Sequence, residues 1–349
     1  MIVYWIMFLI PAVFAIHPIV VNQKLRVISF WLVGLIFLIL IGLRHDVGGD
    51  WWRYIELFSF HKGIDLDFKK FNSSDYGYET LHWFSLNYFY GIYGTNLIVA
   101  FFFIAGLLRF CRAMPMPWLS LAISVQFLVI VVSMGYTRQS AAIGFFMWGL
   151  VDLMNGKKTH FYMFTILGAL FHSTVLGMLP FGLLYNKKLD FKTIATILIM
   201  VVTVVYLLLL GTQIASKYYY YITIRFHHSD GAVIRVFMSF IASIIYLMYR
   251  KRFDQYYGSS TLWFYFSVAS IIILPVAFYY STFADRIAIY FIPIQLVVFS
   301  RFPALLKCKL DRTIFVASIL VVYFFAMLIW LNFGNFSGYW LPYQSILTM

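Results

Sequence analysis

Apolar residues run through the chain in long blocks separated by short polar stretches, without the sustained alternation that a half-buried strand needs. The blocks fall at 1–18, 27–43, 95–111, 117–135, 138–153, 161–175, 175–186, 192–211, 233–249, 260–279, 287–300 and 313–331. A helix crosses hydrocarbon in roughly 20 residues, so the pattern predicts about twelve transmembrane helices, within about 11–13. The expected fold is all-α and polytopic, with 1–349 as a single integral membrane domain. The stretch 161–186 also reads as one long element kinked around Pro180. Two polar segments interrupt the pattern: a loop and interfacial helix over 44–94, and a second loop over 212–232. Within the first, Leu81, Phe84, Leu86 and Phe89 alternate with His82, Asn87 and Tyr88, which predicts a short helix lying at the membrane interface after the second span. Met1 to Ile16 is apolar but has no basic start, and reads as a retained first span rather than a cleaved leader.

Composition agrees with this picture. Hydrophobic residues make up 63% of the chain and charged residues 11%, against about 45–50% and about 25% in soluble domains. That balance excludes a soluble enzyme, a disordered chain and a nucleic-acid-binding domain. The net charge of +13 reports topology instead. More than half of the 26 Lys and Arg residues sit in alternate loops: Lys24 and Arg26; Arg109 and Arg112; Lys157 and Lys158; Lys187, Lys188 and Lys192; Arg250, Lys251 and Arg252; Arg301, Lys307, Lys309 and Arg312. Short basic loops are retained on the cytoplasmic side, so both termini and the two long loops are expected on the other face. Cys111 and Cys308 then lie on the reducing side, and no disulfide is expected.

The remaining basic residues work against this rule. Arg44, Arg138, Arg235 and Arg286 stand at the outer ends of apolar blocks, where a charge is costly unless it pairs or lines a wet cavity. Each lies in a polar cluster. Gly42 to Tyr54 holds Arg44, Asp46, Asp50, Trp51 and Trp52, with glycines that permit a tight turn. Met134 to Ala142 holds Arg138 and Gln139. His172, Ser173 and Thr174 form a third cluster, and Tyr279 to Tyr290 a fourth, with Tyr280, Asp285 and Arg286. The alternatives are ordinary ones: a helix-ending turn, a snorkelling arginine, a packed histidine, an N-capping aspartate. The aromatic residues of the second loop, with His227 and His228, read either as an interfacial belt or as a sugar-binding rim. Neither His227-His228 nor Asp65-Leu66-Asp67 is a usable metal signal, so no metal and no cofactor is expected.

Arginine offers a planar, permanently charged fork suited to phosphate oxygens. Several such forks beside a hydrophobic bundle suit a diphosphate on a lipid whose tail lies between the helices. Such a leaving group is already activated. Transfer then needs charge stabilisation at the pyrophosphate and a base for the acceptor hydroxyl. His172 is the first candidate for that base, with Asp50 and Glu79 as alternatives or as groups that orient it.

These residues carry a resemblance. Gly42-Leu43-Arg44, Val47-Gly48, Asp50 and Tyr54 together resemble the signature of EpsG-type polysaccharide polymerases. Tyr78-Glu79, Arg138-Gln139 with Ala141, His172 with Thr174, and Arg286 with Tyr290 resemble its later motifs in order. The resemblance implies a Wzy-type polymerase of O-antigen or capsule repeat units, broadly of the GT-C class, in the inner membrane of a bacterium with its site facing the periplasm. Donor and acceptor would be undecaprenyl-diphosphate-linked oligosaccharides, and a chain-length-determinant protein would be a partner. Arg138 and Arg286, helped by Arg44 and Arg235, would hold the departing diphosphate. Trp51, Tyr54, Gln139, Tyr280 and Tyr290 would contact substrate, and direct displacement would invert the anomeric carbon. Two rivals share the membrane setting: an O-antigen ligase with lipid A core as acceptor, and a lipid-linked oligosaccharide flippase. A flippase needs charges along the inner half of a cavity, where this sequence has almost none.

Overall fold

Inside a bilayer every backbone donor and acceptor must be satisfied within its own segment, so apolar blocks coil into helices. A computed structural model describes residues 1–17, 22–61, 63, 66, 75–187, 190–210, 231–258 and 260–349. Helices dominate, and among the described residues the one β-type pairing is an isolated bridge between Arg44 and Ser345. The loop residues 212–230, with His227 and His228, lie outside the described residues, as do Asp65, Asp67 and Lys188.

In chain order the helices are α1 (Ile2–Ile16), α2 (Gln23–Gly42), α3 (Trp51–His61), α4 (Tyr76–Tyr88), α5 (Gly91–Arg112) and α6 (Pro117–Gly135). Next come α7 (Thr137–Met154), α8 (Lys158–Ala169), α9 (Ser173–Leu184), α10 (Phe191–Leu210), α11 (Ala232–Met248) and α12 (Arg250–Tyr257). The last are α13 (Thr261–Tyr279), α14 (Ser281–Phe291), α15 (Pro293–Leu305) and α16 (Lys309–Phe333). Five of these (α2, α5, α6, α13 and α16) are long and apolar enough to cross a membrane, or up to seven segments if the bent pairs α11–α12 (78°) and α14–α15 (45°) each count as one span. The sequence pattern suggested about twelve. Other apolar blocks fall on helices that are shorter or more polar: α1 and α9 are shorter than roughly 20 residues, and α7 carries Arg138 and Asp152 near its ends.

The centre is α6, buried continuously from Trp118 to Gly135. It is predominantly apolar, as a helix enclosed by others tends to be, and it is π-wound over Val125–Val132. Around it pack α1, α5 and α15, while α7 lies against α5 and α8. The contact of α5 with α7 rests on Gly106 and Gly144, where a Cβ on Gly106 would come within 1.9 Å of the Gly144 carbonyl oxygen. Small residues of this kind let two helix backbones meet.

The segregated charges separate in space. At one end Arg109 holds Asp152 through two bonds of 2.9 and 2.7 Å, and Lys158 donates to the Tyr185 carbonyl at 3.1 Å. At the other end the chain after α16 folds back over the loop that leaves α2. The amide of His45 donates to Gln344 O at 3.0 Å and that of Gly48 to Tyr339 O at 2.8 Å. The Tyr4 hydroxyl donates to Trp340 O at 2.6 Å, so the first helix is tied to the same closure. Gly48 has φ +109, and a Cβ there would lie 2.0 Å from Met134 O, so this turn requires glycine.

The helix expected near residues 79–93 is α4. It buries Tyr78, Glu79, His82 and Ser85 against the bundle, so its polar side faces inward rather than toward water. The break expected around Pro180 falls instead at His172, which is extended (φ −157, ψ 111), and Pro180 opens a helical turn.

Candidate active site

Two groups of charged residues meet around the start of α7, at the end of the bundle away from Arg109 and Asp152. The first centres on Asp75, the residue that precedes α4. Its carboxylate makes no cap bond to its own helix and turns across the bundle. Oδ2 accepts from Arg138 Nη1 at 3.4 Å and from His172 Nδ1 at 3.4 Å, while Oδ1 accepts from the Ser173 amide at 3.4 Å. These separations are long for hydrogen bonds, whose usual N···O distance is about 2.9 Å.

Local structure explains why the residues stand there. Arg138 occupies the first turn of α7, where a positive charge opposes the helix dipole. It is stabilised by Asp75, by Glu79 Oε1 at 4.0 Å, and by the rings of Tyr78 and Tyr54, which lie 5.0 and 5.8 Å from the guanidinium carbon. Glu79 is in the first turn of α4, where a carboxylate is favoured. His172 occupies the extended joint between α8 and α9, with Nδ1 toward Asp75 and a buried Nε2 that has no hydrogen-bond partner among the described residues. Next to it, the Thr174 hydroxyl lies 3.0 Å from that of Tyr290, which is fully buried.

The second group lines a cavity of about 870 Å³. One wall is apolar, built by Val321, Val322, Phe325 and Ile329 of α16, and the cavity also takes in Asp50, Arg53, Gln139, Arg235, Asp285 and Arg286. Arg235 holds Asp285 through both forks, Nε to Oδ1 and Nη2 to Oδ2, each at 2.6 Å. Arg286 lies 5.9 Å above the Tyr136 ring, and its carbonyl accepts from Gln139 Nε2 at 2.7 Å. Arg138 and Gln139 are consecutive, so one turn of helix joins the Asp75 group to the cavity.

Of the four arginines singled out by position, Arg235 and Arg286 line the cavity and Arg138 faces Asp75. Arg44 is elsewhere. It is 1% exposed and donates to Ile41 O, Val47 O, Thr137 Oγ1 and Asn96 Oδ1 at 2.6, 3.1, 2.9 and 3.4 Å. Burial lowers its pKa to about 10, which still leaves it charged at neutral pH. Its guanidinium ties the exit of α2 to α5 and α7.

The aromatic candidates also divide. Trp51 is buried against His45 and Tyr93, and Tyr54 is buried beneath Arg138, with burial pushing its phenol up to about 12. Tyr280 is partly exposed at the joint of α13 and α14, and Asp50 is half-buried on the cavity wall. Sequence reasoning missed Asp75. Its one local signal is an aspartate immediately before a helix, which ordinarily reads as a cap. Among the described residues no three His, Cys, Asp or Glu side chains group as metal ligands.

A model of the EpsG family matches residues 27–345, a range that contains every one of these residues. No curated protein and no solved structure matches the chain. With almost the whole length matched in one stretch, the chain belongs to the EpsG family.

Proposed function

We propose that this chain, by family a polysaccharide-polymerase-like membrane protein, transfers a growing glycan from a polyprenyl diphosphate to the non-reducing end of another lipid-linked repeat unit. The observation that carries this reading is the two-sided cavity. Its arginines suit a diphosphate, and the apolar face of α16 beside them suits a prenyl tail. Charge-assisted bonds from arginine contribute about 1.5–3 kcal/mol each, and they act most strongly where water is excluded.

In the proposed step an acceptor hydroxyl oxygen attacks the anomeric carbon, and the bond from that carbon to the diphosphate oxygen breaks. The leaving diphosphate takes the electron pair and is neutralised by Arg286, with Arg138 on α7 next to the Gln139 that bonds the Arg286 carbonyl. His172 Nε2 accepts the hydroxyl proton. Asp75 orients the ring from Nδ1, which is the arrangement a histidine base needs. The anomeric carbon inverts. Arg235 sets the cavity wall through Asp285, and Arg44 supports the site from outside it. Asp50 and Glu79 flank the reaction without being its base.

The topology belongs to the same proposal: about twelve passes when short and bent helices are included, a GT-C-like bundle, the basic end in the cytoplasm and the site at the periplasmic face of a bacterial inner membrane. The substrates would be undecaprenyl-diphosphate-linked oligosaccharides, and a chain-length-determinant protein would set product length.

The test is the glycan profile of a strain lacking the gene, complemented with wild type or with Arg286→Ala. Single capped repeats in the deletion, a ladder restored by wild type and none by Arg286→Ala are expected. A naked core in the deletion identifies a ligase, absent export identifies a flippase, and a normal ladder from Arg286→Ala removes the diphosphate assignment.

A further inference from the structure

The cavity has a third feature, contributed by the segment after α16. Phe336 and Tyr339 lie on its wall with near-parallel rings, centroids 6.4 Å apart and planes 18° from one another. Unlike Trp51, Tyr54 and Tyr290, which are enclosed by protein, these rings are 49% and 52% exposed. The backbone that carries them is nonetheless held in place. The Tyr339 carbonyl accepts from the Gly48 amide at 2.8 Å, and the neighbouring Trp340 indole donates to Ile130 O at 3.0 Å while packing over Gly135. The Gly48 turn that holds Tyr339 leads directly into Asp50 and Arg53, which line the same cavity.

We propose that Phe336 and Tyr339 form a stacking platform for a pyranose ring of the lipid-linked glycan, next to the diphosphate. This rests on the glycosyltransferase reading above. The apolar face of a pyranose packs on an aromatic ring while its hydroxyls need polar partners, and Asp50 and Arg53, which line the same cavity, carry an acceptor and donors. A prenyl tail would use the rings but not those polar residues. Anchoring by Gly48 and Ile130 fixes the backbone beneath the rings before substrate arrives, so binding need order only the side chains.

The test measures binding to the full-length protein in nanodiscs. The two probes are bare undecaprenyl diphosphate and the lipid-linked repeat unit extracted from the deletion strain. Wild type is expected to bind the glycan-bearing lipid about tenfold more tightly than the bare one, the scale of two aromatic contacts together. The Phe336→Ala/Tyr339→Ala variant should bind the bare lipid as wild type does and lose that tenfold preference. Phe336→Trp with Tyr339→Phe should keep it. Equal wild-type affinity for both lipids, or an unchanged preference in the double alanine variant, overturns the platform while leaving the lipid diphosphate site intact. Equal loss of both lipids in the alanine variant makes the rings part of the cavity wall and also overturns it. A wild-type protein that binds neither lipid overturns the glycosyltransferase reading and the platform with it.

Discussion

Asp75 and Asp285 are both buried carboxylates that face an arginine at the same end of the bundle, and they are held in opposite ways. Asp285 is gripped by one guanidinium through two 2.6 Å bonds, with side-chain exposures of 8% for Arg235 and 6% for Asp285. The contacts of Asp75 to Arg138, His172 and the Ser173 amide are each 3.4 Å. A bidentate pair of matched forks is a geometric lock. A carboxylate spread over several long contacts can tighten onto whichever donor gains charge, and catalytic hydrogen bonds are often long before substrate binds. The first arrangement suits a wall, and the second suits proton transfer.

The comparison breaks most sharply under substitution. His172→Ala and Asp75→Asn should each lower polymerisation by about 10²–10⁴-fold, the range of general acid–base catalysis, with thermal unfolding in detergent little changed. Equal activity in purified His172→Ala would remove the histidine from the chemistry. Asp285→Ala should do the reverse, with its first effect on stability: breaking a buried pair costs about 3–5 kcal/mol. A lowered unfolding temperature is the readout. Replacing both partners, Arg235→Met with Asp285→Leu, should recover much of that stability.

Arg44→Met is expected to act on folding rather than on affinity for lipid diphosphate. It strands the carbonyls of Ile41 and Val47 and the Asn96 side chain, at about 1–3 kcal/mol for each buried group left unpaired. Residual protein with unchanged lipid affinity would agree. At the basic end, Arg250 and Asp254 form a more exposed i, i+4 pair at 3.7 Å. Asp254→Ala should change unfolding by only about 0.5 kcal/mol. A large loss there would mean that ion pairing at the basic end matters as much as at the site.

Much of this was legible along the chain. Apolar blocks mark helices because the bilayer leaves the backbone few other choices, and Arg138, Arg286 and His172 drew attention because charge and imidazole at span ends are costly without a purpose. Asp75 was not legible. The donors at positions 138, 172 and 173 lie far along the chain, and nothing in the local sequence distinguishes it from a capping residue. The exposed rings were missed for a similar reason. Trp51 and Phe336 both look like interfacial aromatics, and only packing shows that the first is covered by His45 and Tyr93 while the second opens onto the cavity.

Sequence alone determined that this chain is helical and membrane-embedded, which of its loops are basic, and which motifs relate it to its family. Those properties depend on composition and on contacts within a few residues. Tertiary structure decided that Arg44 is a tether, that Asp285 is a lock and Asp75 a hub, and that α16 and the segment after it wall a single cavity. Each of these depends on which distant segments pack together, and the sign and strength of a charge's effect depend on the neighbours that packing provides.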